Sequence, residues 1–164
     1  MLNYNLNTYF IVISVISFVS LISAYSIEYL LGHQPCNLCL IQRIPYGLTL
    51  ILVIINYFFR KNEKFIILLL ILIFSFSFIV SFYHYGIEQG FFEESSLCTL
   101  KSSSEILSKE ELLKQLQIKT VSCKDVTFRI FGFSLTNINI IISLMLFILL
   151  SKIFVNYEKL KKKN

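Results

Sequence analysis

The stretch FIILLLILIFSFSFIVSFY, residues 65–83, carries no charged side chain and little that is polar beyond serine. A helix that crosses a bilayer needs roughly 20 apolar residues, and one that is apolar on every face cannot lie against water. Working outward, residues 9–31, 40–59 and 133–155 meet the same requirement. The chain is 55% hydrophobic and only 15% charged, above the ~45–50% apolar share of soluble domains. The expected fold is an all-α membrane protein. It is a single integral membrane domain over residues 1–164, a four-transmembrane-helix bundle with one long loop, about 84–132, between helices 3 and 4. The first stretch lacks a basic leader and exceeds the ~7–15 apolar residues of a secretory signal, so it is expected to span.

The net charge of +5 does not indicate nucleic acid, because of where it sits. Arg60, Lys61 and Lys64 crowd the short link between the second and third spans. Lys152, Lys159, Lys161, Lys162 and Lys163 gather at the end of the chain. The long loop is nearly balanced, and the link before Cys39 has no Lys or Arg. The positive-inside rule makes the short link and the tail cytoplasmic, with the lysines against anionic lipid headgroups. Both termini are then cytoplasmic. The two cysteine pairs, Cys36/Cys39 and Cys98/Cys123, are two crossings apart and share the opposite face. In a bacterial inner membrane that face is the periplasm, where disulfides persist.

Pro35 precedes Cys36, and a helix is expected to begin there. A cysteine at a helix N-terminus meets unpaired N–H groups and the positive end of the dipole, which lowers its pKa. A CxxC pair closes a small ring that opens readily. Arg43, four residues beyond Cys39, shares its helix face and can stabilise a thiolate or the oxygen of an electron acceptor. The plainer reading is an arginine snorkelling to headgroups. Glu28 is either interfacial or Arg43's partner across the bundle. His33 and His84 read as interfacial, with His84 the better candidate for acceptor binding or proton relay. Ser77 and Ser81 share a face suited either to close helix contact or to bonding their own backbone. Gly47 reads as easing helix packing, and Pro45 as sitting close enough to the helix start to be tolerated.

Cys98 and Cys123 have two readings. As a structural staple, the loop they enclose would contribute about 3.5 kcal/mol in the chain-entropy model. As a relay, they carry disulfides to Cys36. Ser102 and Glu105 have capping-box spacing. Ile106, Leu107, Leu113 and Leu116 then give a short amphipathic helix, with Lys109, Glu110 and Lys114 in water. Four cysteines could also bind zinc, but the wide spacing of the second pair and an oxidising compartment disfavour it, so no metal is expected.

Three stretches carry a family likeness. Gly32-His-Gln-Pro-Cys-Asn-Leu-Cys-Leu-Ile-Gln-Arg-Ile-Pro-Tyr46 resembles a PCxLCxxQRxPY signature. Phe82-Tyr-His-Tyr-Gly-Ile-Glu-Gln-Gly90 precedes the loop cysteine. Cys123-Lys-Asp-Val-Thr-Phe-Arg-Ile-Phe-Gly-Phe-Ser-Leu135 is similar to the family's last-loop motif, and Asn139 meets a family Asn. The chain thus resembles, over essentially its whole length, the DsbB/DsbI family of quinone-linked disulfide-forming membrane proteins. It departs from that family in having no Trp, with Phe128 and Ile138 at two such places. The resemblance implies a protein-disulfide:quinone oxidoreductase with catalytic Cys36, Cys39, Cys98 and Cys123. It implies ubiquinone or menaquinone held near Arg43 and His84, and a periplasmic DsbA-like thiol oxidase as partner. In the implied cycle that partner bonds to Cys98, Cys36 takes a transient bond to Cys98, and Cys39 is left as thiolate beside the acceptor. Vitamin K epoxide reductase relatives also combine four helices and CxxC, but their loop pair precedes it. A non-enzymatic protein stapled by two disulfides is the remaining alternative.

Overall fold

A computed structural model describes residues 6–59, 62–93, 98, 122–124, 129, 130 and 132–157. Its long helices are α1 (Leu6–Tyr29), α2 (Asn37–Phe58), α3 (Glu63–Glu88) and α4 (Leu135–Val155). All four are long and apolar enough to cross a membrane. The chain is therefore the four-helix membrane bundle that its hydropathy requires. Ahead of α4 lies a short antiparallel pair that the sequence did not suggest, β1 (Arg129–Ile130) and β2 (Phe133–Ser134). It turns through Gly132 at a φ of 86°, a value open to glycine at no steric cost. The amphipathic helix expected near residues 102–116 lies outside the described residues.

Large apolar side chains point outward on every helix: Ile11 and Val15, Ile51 and Ile54, Leu72 and Phe76, Ile141 and Met145. Small polar ones, Ser17, Thr49, Ser77 and Ser143, are buried beside Ile13, Phe74 and Leu146. That pattern suits lipid as the solvent, where small and hydrogen-bonding residues make the helix contacts. Ser77 Oγ meets Ser143 Oγ at 2.9 Å between α3 and α4, while Ser81 Oγ donates to the Ser77 carbonyl at 2.7 Å. Both serines are buried, and Ser81 also accepts from Asn139 Nδ2 of α4 at 2.7 Å, so both serve close helix contact. In sequence order each helix packs on the next, α3 on α4 most extensively, whereas α1 and α4 touch only sparsely.

Some local expectations change. The third span does not stop at Tyr83; α3 runs on to Glu88, so His84 lies inside a helix and not at the mouth of the loop. The extension ends in a Schellman cap: Gly90 has a φ of 78°, Phe91 N–H donates to Gly86 O at 2.8 Å and Gly90 N–H to Ile87 O at 3.0 Å. Pro45 is two turns inside α2, where its missing N–H leaves the Ile41 carbonyl without its usual donor. A Cβ on Gly47 would meet nothing within 4 Å, so no close helix contact depends on it. At Gly86 a Cβ would come within 2.1 Å of the Phe92 ring, which lies over this turn and stacks on Tyr83.

Candidate functional site

The N-terminus of α2 is built on sulfur. Cys36 is its N-cap, and its Sγ accepts from Cys39 N–H at 3.4 Å, the role usually taken by a serine or aspartate oxygen. One turn of helix brings Cys39 Sγ to 2.8 Å from Cys36 Sγ. From the loop, Cys98 and Cys123 are both buried against Cys36, Leu38 and Ile87. The structure therefore gathers all four cysteines at one end of the bundle.

Cys123 contacts both Cys36 and Cys98. Hydrogen bonds to Cys36 Sγ from the Cys123 and Cys39 thiols, reinforced by His84, outweigh burial and hold Cys36 well below the ordinary thiol range. Cys123, bonded to Cys36 and buried, is pushed above it. Both loop cysteines pack in the same buried cluster as Cys36, with Cys123 in contact with it.

The extra turn of α3 supplies the next group. His84, 2% exposed, places Nε2 3.5 Å from Cys36 Sγ. Its Nδ1 lies 3.1 Å from Gln42 Nε2 and 3.3 Å from Thr136 Oγ1. Glu88, one turn further along α3, accepts from Thr136 Oγ1 on one carboxylate oxygen and from Ser134 Oγ on the other, at 2.6 Å. Ser134 is also the N-cap of α4, accepting from Asn137 N–H. His84 is thus a buried, fully partnered ring and not an interfacial one.

Arg43 and Glu28 form an ion pair across α1 and α2, with the guanidinium 4.9 Å from the centroid of the Tyr25 ring. Both side chains are mostly buried, at 15% and 22% exposure, so Arg43 does not snorkel. Deeper in the bundle, Tyr46 donates to Asn139 Oδ1, and Asn139 Nδ2 donates to Ser81 Oγ at 2.7 Å.

Cys36, Cys39, Arg43, Tyr46, His84 and Asn139 line a cavity of about 320 Å³ that also takes in Cys123 and His33. Its remaining wall is mostly apolar, with Ala24 and Ile27 from α1 and Ile138 and Ile142 from α4. A largely apolar pocket with a few convergent polar groups is the usual form of a small-molecule site. Arg43 supplies the one guanidinium in this lining, and Cys39 a sulfur.

Gln42, Glu88, Thr136 and Tyr46 were not singled out from sequence as site residues. Gln42 lies three residues past Cys39 and Glu88 four past His84, spacings that put each pair on one helix face. Thr136 carries no such signal, because its partners are on another helix.

No solved structure matches the chain. Among curated proteins it is 28% identical over 145 residues to the uncharacterized protein RP370 of Rickettsia prowazekii (strain Madrid E), covering 87% of this chain and 84% of that one. The family model for disulfide bond formation protein DsbB matches residues 6–153, which includes α1 to α3, both cysteine pairs and all but the end of α4. The chain belongs to the DsbB family of disulfide bond formation proteins.

Proposed function

We propose that this protein oxidises the dithiol of a periplasmic, DsbA-like partner and delivers the electrons to a membrane quinone, ubiquinone or menaquinone. The observation that carries this reading is the convergence of four sulfurs in one cluster, three of which, Cys36, Cys39 and Cys123, line a cavity whose polar wall holds Arg43 and His84.

The sulfur steps balance as follows. A partner thiolate attacks Cys98 of the Cys98–Cys123 disulfide and releases Cys123 as thiolate. Cys123 attacks Cys36, breaking the Cys36–Cys39 bond and leaving Cys39 as thiolate. The partner's second thiol displaces Cys98, and Cys98 attacks Cys123 to restore the loop disulfide and free Cys36. The partner is oxidised and the Cys36/Cys39 pair is reduced by two electrons. The burial of Cys36, Cys98 and Cys123 in one cluster supports exchange among them, and a direct Cys36–Cys98 bond is the alternative order.

A bound quinone supplies an acceptor for two electrons and two protons. Arg43 would hold it by donating to a ring oxygen, with Glu28 and Tyr25 fixing the guanidinium's direction. His84 is placed to take a proton at Nε2 from Cys36. The apolar α1 and α4 walls exclude water from the thiolate.

The test is turnover by purified protein given a reduced thioredoxin-like dithiol and a soluble quinone. Bleaching of the quinone in wild type, abolished in Cys36→Ser and Cys39→Ser, is expected. Should the wild type leave the quinone oxidised, and alkylation under quinone depletion find all four cysteines blocked, the pairs are structural staples.

A further inference from the structure

We propose that the reduced protein binds a zinc-class d10 divalent cation through Cys36 Sγ, Cys39 Sγ and His84 Nε2. The sequence weighed four cysteines as ligands. The structure instead puts a histidine from α3 beside the CxxC, and the three donor atoms lie within 4.8 Å of one another.

The spacing is close to what such an ion needs. Bonds of about 2.3 Å to sulfur and 2.0–2.1 Å to nitrogen at tetrahedral angles separate S from N by about 3.6 Å and S from S by about 3.8 Å. Cys36 Sγ and His84 Nε2 already stand 3.5 Å apart. The sulfur pair, at 2.8 Å, must open, with Cys39 Sγ settling near Nε2, from which it lies within 4.8 Å. Cys39 is in the first turn of α2 and can do this by side-chain rotation alone.

The surroundings of His84 point the same way. A metal-bound histidine presents a lone pair on one nitrogen and donates its other N–H, most often toward a carboxylate. Thr136 Oγ1 lies 3.3 Å from His84 Nδ1 and gives its own hydrogen to Glu88 Oε1. Toward Nδ1 it can therefore only accept, and in the tautomer that uses this bond Nε2 presents its lone pair to the two sulfurs. Gln42 Nε2 lies 3.1 Å from the same nitrogen and donates to it as it stands, so metal binding turns this amide over. The carboxylate is held in turn by Ser134.

Binding takes both sulfurs as thiolates, displacing any proton still on them, and changes no oxidation state. The cation keeps both sulfurs apart, so the pair cannot close to a disulfide until the ion leaves. Zinc is then a reversible brake on whatever oxidises Cys36 and Cys39. The binding needs only reduced thiols and stands whether or not a quinone is the acceptor.

Cd2+ titration of the reduced full-length protein in detergent tests this. The expected result is a thiolate-to-cadmium absorption band saturating at one ion per chain, missing after diamide oxidation. Thr136→Val, a change of positioning, should weaken affinity by about tenfold or more, whereas Cys98→Ser should leave it unchanged. The 113Cd shift should report mixed sulfur and nitrogen ligation and move in His84→Ala. A reduced protein with no band, an all-sulfur shift, or equal affinity in wild type, Thr136→Val and His84→Ala would overturn the assignment.

Discussion

Cys36 caps α2 with the same sulfur that Cys123 and His84 approach. Because neighbouring hydrogen bonds lower its pKa, its thiolate persists to lower pH than the usual value of about 8.5. Iodoacetamide labelling of Cys36 in the reduced protein should therefore stay flat from about pH 8.5 down towards 7. The Cys123 pKa is raised, so its labelling should instead keep climbing above that range. Mass spectrometry of labelled peptides separates the two, and identical profiles would contradict this electrostatic picture. Arg43→Ala removes a charge-assisted donor, worth about 1.5–3 kcal/mol. The apparent KM for quinone should then rise tenfold or more, and an unchanged KM would take Arg43 out of the acceptor site. The CxxC and Arg43 were legible as residues because their spacing is their chemistry. Glu88 was not, since a glutamate just past an apolar run looks like any loop charge until α3 is seen to continue.

At the scale of the element, α3 shows how a helix outlasts its hydropathy. The apolar run through residues 65–83 ends at Tyr83, but the helix continues to Glu88, where His84 and Glu88 find polar partners on α2 and α4. Hydropathy reads solvent, not hydrogen bonding, which is why the sequence placed this boundary a turn early. Gly86 matters within that last turn. In Gly86→Ala the new methyl meets the Phe92 ring and must push it off Tyr83. Overpacking of this kind costs about 1–3 kcal/mol, to be read as a lower unfolding midpoint in detergent. A midpoint equal to wild type would show that Phe92 is not held there. Ser77→Ala breaks one bond between α3 and α4, and such bonds in membrane bundles average only about 0.6 kcal/mol. It should be nearly silent in the same assay.

Across the whole molecule, the four spans and the shared end of the cysteine pairs followed from counting apolar residues and crossings. The cavity did not, because no local pattern tells which helices leave a gap between them. If the lysine-rich link and tail face the cytoplasm, as the positive-inside rule expects, a membrane-impermeant maleimide should label the reduced cysteines only from outside in intact cells. Labelling only from inverted vesicles would reverse the proposed orientation.

The sparse contact between α1 and α4 adds a consequence for traffic. Ala24 and Ile27 of α1 and Ile138 and Ile142 of α4 line the cavity, so a gap between these two helices would open it to lipid. The proposed oily acceptor would then slip in sideways and never leave the bilayer. Its encounter frequency then follows its density within the leaflet, and a tryptophan at position 24 or 138 would bolt the door while leaving the sulfurs free to exchange among themselves.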